Sequence, residues 1–237
     1  MNSAYSKRPN KSVLAWDKLE IGYDKQSLIY PFSGEISIPG IYAILGQNGC
    51  GKSTLLKTWL GLIPPKQGKI TLHDAPLPYH HDISSGIAYV PQFHTVNKYF
   101  HISVFDFIKQ GFGPNHKITA ENKETISQLL RDWQLAGNLY KSFHDLSGGQ
   151  KVRCMLVRAI VSNPKFLFLD EPLASLDVCC QQQLMDTLEE LVETKQIYVF
   201  MVDHHLERYT DVLKGSFTFL KHHDEPLSQI DAQIAPA

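Results

Sequence analysis

The stretch Gly46–Thr54 reads GQNGCGKST. Three glycines in nine residues stand just ahead of a lysine and two hydroxyls. The spacing G-x-x-x-x-G-K-S is that of a phosphate-binding loop. Its glycines let backbone N–H groups turn inward and approach a polyphosphate closely. Lys52 can then reach the β- and γ-phosphates, and Ser53 can ligate Mg²⁺. A Gly-rich turn before an ordinary helix would carry the same letters, so the flanks decide. Ile41–Leu45 (IYAIL) is an apolar, β-branched run directly before the loop, and Thr54–Leu62 is helical in pattern, closed by Gly61 and Pro64-Pro65. The loop therefore lies between a buried strand and a helix, where loop amides and helix N-terminus act together on an anion.

The rest of the chain reads as strands alternating with helices, which predicts a mainly parallel α/β sheet. Val13–Tyr23 alternates like a strand, and Ser27–Ile38 continues in short β-type pieces broken by Pro31, Gly34 and Pro39. Lys69–Leu72, Gly86–Pro91, Phe166–Leu169, Ile197–Val202 and Phe217–Leu220 are further strand candidates. Residues 102–144 read as mainly helical, with Ala120–Leu135 the clearest amphipathic piece. Ser147–Ser162 and Gln181–Thr194 are further helices. The early β-pieces predict an antiparallel subdomain, and residues 92–145 a helical insertion. The expected organisation is one domain over 1–223, its helical subdomain at about 92–160, followed by a polar tail, 224–237, that is expected to be loose.

Composition narrows the classes. A chain of 237 residues with 43% hydrophobic and 20% charged residues is ordinary for a soluble protein with a sizeable core. A net charge of −1 gives no reason to propose nucleic acid as a partner. Cys50, Cys154, Cys179 and Cys180 lack metal-site spacing and read as reduced thiols. The N-terminus MNSAYSKRPNKS has no apolar core of a signal peptide. The strongest apolar run, Ile197–Val202, is too short to span a bilayer, so a membrane role is expected to come through another chain.

Two further motifs belong with the loop. In FLFLDE an apolar strand holds Asp170 at its C-terminal end, where it can orient Mg²⁺, and Glu171 beside it can position or deprotonate a water. In LSGGQ, Leu146–Gln150, a serine and two glycines open a helix and make a second anion-binding N-terminus. Ser147 also suits a plain helix cap.

GQNGCGKST, the Gln92 of VPQ, LSGGQ, FLFLDEP, ASLD and the His204 of MVDHHL occur in the order found in the ATP-binding-cassette ATPases. The resemblance runs from about Leu14 to Leu220. It implies a P-loop NTPase core with an antiparallel β subdomain and a helical signature subdomain. It implies ATP and Mg²⁺ as cofactors and two cassettes closing head to tail on two ATP molecules. Gly46, Gln47, Asn48, Gly49, Cys50, Gly51, Lys52, Ser53 and Thr54 would bind the nucleotide, with Tyr23 stacking on adenine. Ser147, Gly148, Gly149 and Gln150 would face the nucleotide held by the partner, and Asp177 would cross the dimer interface. Ser53, Gln92 and Asp170 would serve Mg²⁺. Glu171 would be the general base, His204 would touch the γ-phosphate, and Gln92 would sense the attacking water. Gln47 stands where proline is common, Val152 and Val157 depart from the usual residues, and His205 stands where the family usually has Asp. None of these departures removes a ligating group.

What hydrolysis drives is less local. From Gln92 to Val104 is 12 residues (104 − 92), with Val96 and Phe100 inside. That length looks like the manganese and zinc importer cassettes, whereas the GCGKST wording also resembles the siderophore group. The expected role is the ATPase subunit of a metal-ion importer. It would sit peripherally on the cytoplasmic face of the inner membrane under a permease, with an extracytoplasmic substrate-binding protein as indirect partner. The alternatives are an iron-chelate importer and a soluble cassette ATPase without a permease. Against the last, no heptad run and no second cassette are present. The pairs His80-His81, His204-His205 and His222-His223 offer good Zn²⁺ ligands. The outer pairs read as solvated loop residues, because no carboxylate or Cys completes a four-ligand set nearby.

Overall fold

The computed structural model describes residues 13–23, 26–77, 86–92, 102–113, 116–204, 206–220 and 227–234. The histidines at 80, 81, 205, 222 and 223, and Val96 and Phe100, lie outside these described residues. In chain order the elements are β1 (Leu14–Glu20), β2 (Gly22–Tyr23), β3 (Gln26–Ser27), β4 (Phe32–Ile36), β5 (Gly40–Gly46), α1 (Lys52–Trp59), β6 (Gln67–Leu72) and β7 (Ala75–Pro76). There follow β8 (Ile87–Val90), α2 (Val104–Lys109), α3 (Ala120–Asp132), α4 (Gly148–Val161), β9 (Phe166–Asp170), α5 (Val178–Lys195), β10 (Tyr198–Val202), β11 (Leu213–Leu220) and β12 (Gln229–Ile234). The chain divides into two compact units, one of Met1–Pro39, Leu45–Ile83 and Lys214–Ala237, the other of Gly40–Ile44 and Ser84–Leu213.

In the first unit β4, β1, β6 and β7 form an antiparallel sheet in that order. Its core is aromatic. Trp16 on β1 packs against Trp59 of α1 at 4.9 Å and Phe217 of β11 at 5.7 Å between ring centroids, and Trp59 meets Phe217 edge-on at 5.0 Å. The tilted and edge-on geometries are those that ring quadrupoles favour. Beyond Asp224 the chain is not a loose tail throughout. β12 pairs antiparallel with β11 from Gly215↔Ile234 to Leu220↔Gln229. Buried Ser228 ties the same segment to Leu28 and Tyr30, donating its N–H to Leu28 O and accepting from Tyr30 N–H, both at 3.0 Å. Main-chain pairing holds this strand although its side chains, QIDAQI, are mostly exposed.

In the second unit β5, β10, β9 and β8 form a parallel sheet. β9 and β10 are buried at every position, which is why they read as continuous apolar runs. Level residues stack across the strands, Phe168 on Phe200 at 4.8 Å and Phe166 on Tyr198 at 5.2 Å. At the C-terminal ends Ile44, Val202 and Asp170 stand level on three neighbouring strands. The expected helical stretch is helical in pieces. α2 is short, α3 ends at Asp132 rather than at Leu135 because Gln134 turns left-handed (φ 56°), and single 3₁₀ turns fill 136–138 and 143–145. Phe107 of α2 stacks on Phe143 at 4.2 Å, with the Arg158 guanidinium of α4 lying 4.5 Å over its ring. Among the described residues, no helix is long and apolar enough to cross a membrane.

Candidate nucleotide site

The phosphate loop is built from backbone the sequence could place only with glycine. Gly46, Gly49 and Gly51 all have positive φ, at 142°, 77° and 111°. At Gly46 space is also decisive, for a Cβ there would stand 2.8 Å from Phe219 Cβ and 3.0 Å from Cys50 Sγ. Gly51 is the N-cap of α1, and no side chain caps this helix end with a hydrogen bond. The positive end of the helix dipole and its N–H groups thus face the loop. Lys52 is 5% exposed, and its Nζ donates to Gly46 O at 2.8 Å and Gln47 O at 2.9 Å. The ammonium is held over the loop by the loop's own carbonyls. Tyr23, the adenine-stacking candidate, is 52% exposed and not a core aromatic. Its hydroxyl accepts a long, 3.4 Å bond from Thr54 Oγ1, which sets the ring beside the start of α1. Leu28 and Phe219 wall the loop, each 3.4 Å from a Cβ placed on Gly51. Leu28 is pinned in turn by Ser228.

The strand-end acids lie in the second unit, at the C-terminal ends of its parallel strands, where α/β sheets place their ligands. Asp170 closes β9, is 3% exposed, and accepts a 3.4 Å bond from the Tyr89 hydroxyl. Glu171 follows in a left-handed conformation, φ 52°, which a non-glycine residue adopts only under local constraint. The constraint is a 2.7 Å bond from its N–H to Val202 O. The turn aims the carboxylate at two of the sequence candidates. Gln92 Nε2 donates to Glu171 Oε2, and His204 Nε2 stands 3.8 Å from Oε1. The structure thus brings Gln92, Glu171 and His204 into one cluster, with Asp170 adjacent in the chain.

In the signature segment Ser147 caps α4. Its Oγ accepts from Gln150 N–H at 3.3 Å, and Gln150 Oε1 accepts from Ser147 N–H at 2.9 Å. This capping box occupies both side chains locally, yet a hydroxyl that accepts one bond keeps its proton to donate. Among the described residues a Cβ on Gly148 would meet nothing within 4 Å, whereas one on Gly149 would lie 2.8 Å from Ser175 O. Gly149→Ala should therefore push the 173–175 turn. We expect ATP turnover to fall about tenfold with ATP affinity unchanged within about twofold. Steady-state turnover beside nucleotide titration separates the two effects, and unchanged turnover in Gly149→Ala would remove this packing role. Asp177 caps α5, its Oδ1 accepting Cys180 N–H at 2.9 Å, and that bond holds the carboxyl below its ordinary range. Asp177 and its neighbour Val178, 71% exposed, face solvent.

Sequence reasoning missed three parts. Tyr89 on Asp170 and the wall of Leu28 and Phe219 need tertiary contacts to be seen. Asp203, which precedes His204 in MVDHHL, is 2% exposed, and an acid directly after an apolar strand was the signal available. Among the described residues no group of three His, Cys, Asp or Glu side chains is arranged to hold a metal.

A glycine loop between strand and helix, with a strand-end Asp-Glu pair, defines an α/β P-loop nucleotide hydrolase. The family model for ABC transporters matches residues 31–174, and the chain belongs to that family, whose cassettes hydrolyse ATP. It is 35% identical over 192 residues to the manganese transport system ATP-binding protein MntB of Listeria monocytogenes, covering 79% of each chain. It is 30% identical over 221 residues to the thiamine import ATP-binding protein ThiQ of Vibrio parahaemolyticus, covering 91% of this chain and 92% of that one. Among solved structures, cbiO1 from Clostridium perfringens, part of the transporter complex cbiONQ, matches with a TM-score of 0.74 at 25% identity, over 94% of this chain and 89% of that one.

Proposed function

We propose that this chain is the ATPase subunit of an importer for manganese or zinc ions. It would act as an ATP-closed dimer beneath a membrane permease, on the cytoplasmic side, fed by an extracytoplasmic binding protein. The observation that carries the cargo is the 35% identity to the Listeria manganese protein, and the Gln92–Val104 spacing agrees with it. Thiamine import is the second reading, favoured by ThiQ relatives that align over up to 91% of the chain.

For ATP, the uncapped α1 N-terminus and Lys52 fit a polyphosphate. Ser53, Asp170 and Gln92 would serve Mg²⁺, since hydroxyl, carboxylate and amide oxygens suit a hard cation. When bound, the ion would neutralise charge on the transferring phosphate. Glu171 would take the proton of the attacking water and His204 would hold the γ-phosphate. The Gly46–Thr54 loop holds the phosphates, while Ser147 and Gly149 complete the site in the partner subunit. The exposed start of α5, with Asp177 and Val178, suits a face that meets a second copy. Tyr23 would stack on adenine. Tyr23→Ala should weaken ATP binding about tenfold, and Tyr23→Phe should not, since stacking contributes about 1–3 kcal/mol per base.

The cargo is tested by uptake in cells lacking this chain. Loss of ⁵⁴Mn²⁺ or ⁶⁵Zn²⁺ uptake, restored by the native chain but not by Lys52→Ala, supports the metal reading. Intact metal uptake with lost thiamine uptake replaces it by the second reading. If neither changes, both readings fall, and an iron-chelate importer or a non-transport ATPase takes their place.

A further inference from the structure

We infer that Asp203 is a positioning residue that couples the His204 turn to the 173–177 segment and, through it, to the signature helix. The inference rests on the reading of His204 and Ser147 given above. Asp203 ends β10's apolar run, is 2% exposed, and immediately precedes His204. Its Oδ2 accepts the N–H of Leu173 at 2.9 Å, across thirty positions of sequence. Leu173 opens the 3₁₀ turn Leu173–Ser175, just after the general base and just before Asp177. The far side of that turn is held by buried Gln181 of α5, whose Nε2 donates to Leu173 O and Leu176 O, both at 3.1 Å. On the turn's outer side, Ser175 O lies 2.8 Å from the Cβ position of Gly149, so the first residues of α4 rest directly on it.

These contacts form one continuous path: His204, the Asp203 carboxyl, Leu173, Ser175, Gly149. Its links are a covalent neighbour, a hydrogen bond inside the protein, a single turn and a backbone contact with no room for a methyl. Such a chain transmits displacement rather than absorbing it. A shift of the His204 turn on meeting a phosphate carries Asp203 with it. The Leu173 end of the turn follows, because leaving a buried N–H unpaired is unfavourable. The signature helix and Asp177 would then move as His204 engages. In this path Asp203 touches no substrate atom. It acts by setting where the turn stands.

The test uses the purified full-length chain at concentrations where its ATPase is measurable, with kcat and KM for ATP determined separately. Asp203→Ala and Asp203→Leu both remove the acceptor, and Leu keeps the buried volume in case Ala fails to fold. Asp203→Asn keeps an acceptor oxygen. We expect kcat to fall about tenfold in Ala and Leu with KM changed less than about twofold, and Asn to recover at least about half of kcat. Native kcat in Ala and Leu, or Asn as slow as both, overturns the inference. So does a raised KM at native kcat. His204→Ala serves as the reference. If it is slow while the Asp203 variants are not, the coupling alone fails. If it turns over normally, the reading of His204 fails first and the coupling with it.

Discussion

Glu171→Gln should bind ATP, form a stable ATP-dependent dimer and hydrolyse at a rate about 10²–10⁴-fold below the native chain, the range a positioned general base supplies. The substitution is nearly isosteric. Its amide oxygen can still accept from Gln92, whose Nε2 already donates to Glu171 Oε2. The left-handed backbone at 171 and the N–H bond to Val202 O at 2.7 Å do not depend on the side chain. What is lost is a group able to take a proton. Binding should therefore survive as chemistry stops, and product that is not formed cannot drive the dimer apart. Size-exclusion chromatography with ATP reads the dimer, and phosphate release reads turnover. Turnover within about twofold of the native chain would dismiss Glu171 as the base.

Lys52→Ala should abolish turnover at an earlier step. Lys52 is 5% exposed, and its two bonds to Gly46 O and Gln47 O tie the loop's entrance to the start of α1. Alanine removes both the charge meant for the phosphates and this tie. A hydrogen bond to a charged group contributes about 1.5–3 kcal/mol, so ATP affinity should fall about 10- to 100-fold. Lys52→Arg should not rescue it, because a planar guanidinium fork does not fit where a compact ammonium lies over two carbonyls. Titration with a fluorescent ATP analogue measures the loss, with circular dichroism as the check on folding. Affinity within about threefold of native in Lys52→Ala would mean that the loop amides and the helix end hold the phosphates without it. The two variants are complementary: one binds ATP and hardly turns over, the other is impaired already at binding.

The parts of the site legible in the sequence are those whose physics is local. A phosphate loop needs glycines at positive φ, a lysine and a following helix, all within nine residues. Gly46, Gly49 and Gly51 adopt those angles. Ser147 and Asp177 carry side chains that cap the helices they begin, a relation spanning three residues. Buried parallel strands announce themselves because both faces must be apolar, so FLFLD and YVFMV were read within a residue of their ends. β12 was missed for the opposite reason. Its side chains are mostly exposed and polar, and the main-chain bonds to β11 that hold it leave no mark in composition. The Asp203–Leu173 bond spans thirty residues and the Gln92–Glu171 bond 79, and no spacing rule reaches so far.

The sequence by itself determined a glycine-rich loop and lysine between a buried strand and a helix, and an Asp-Glu pair at the end of a second buried strand. Each of those features is specified by neighbours a few residues away. Only the tertiary structure decided that Asp203 before His204 is a buried link, that Gly149 is a contact with no room for a side chain, and that Leu28 and Phe219 wall the phosphate loop. Those outcomes depend on which distant backbone atoms packing brings within about 3 Å, the reach of a hydrogen bond.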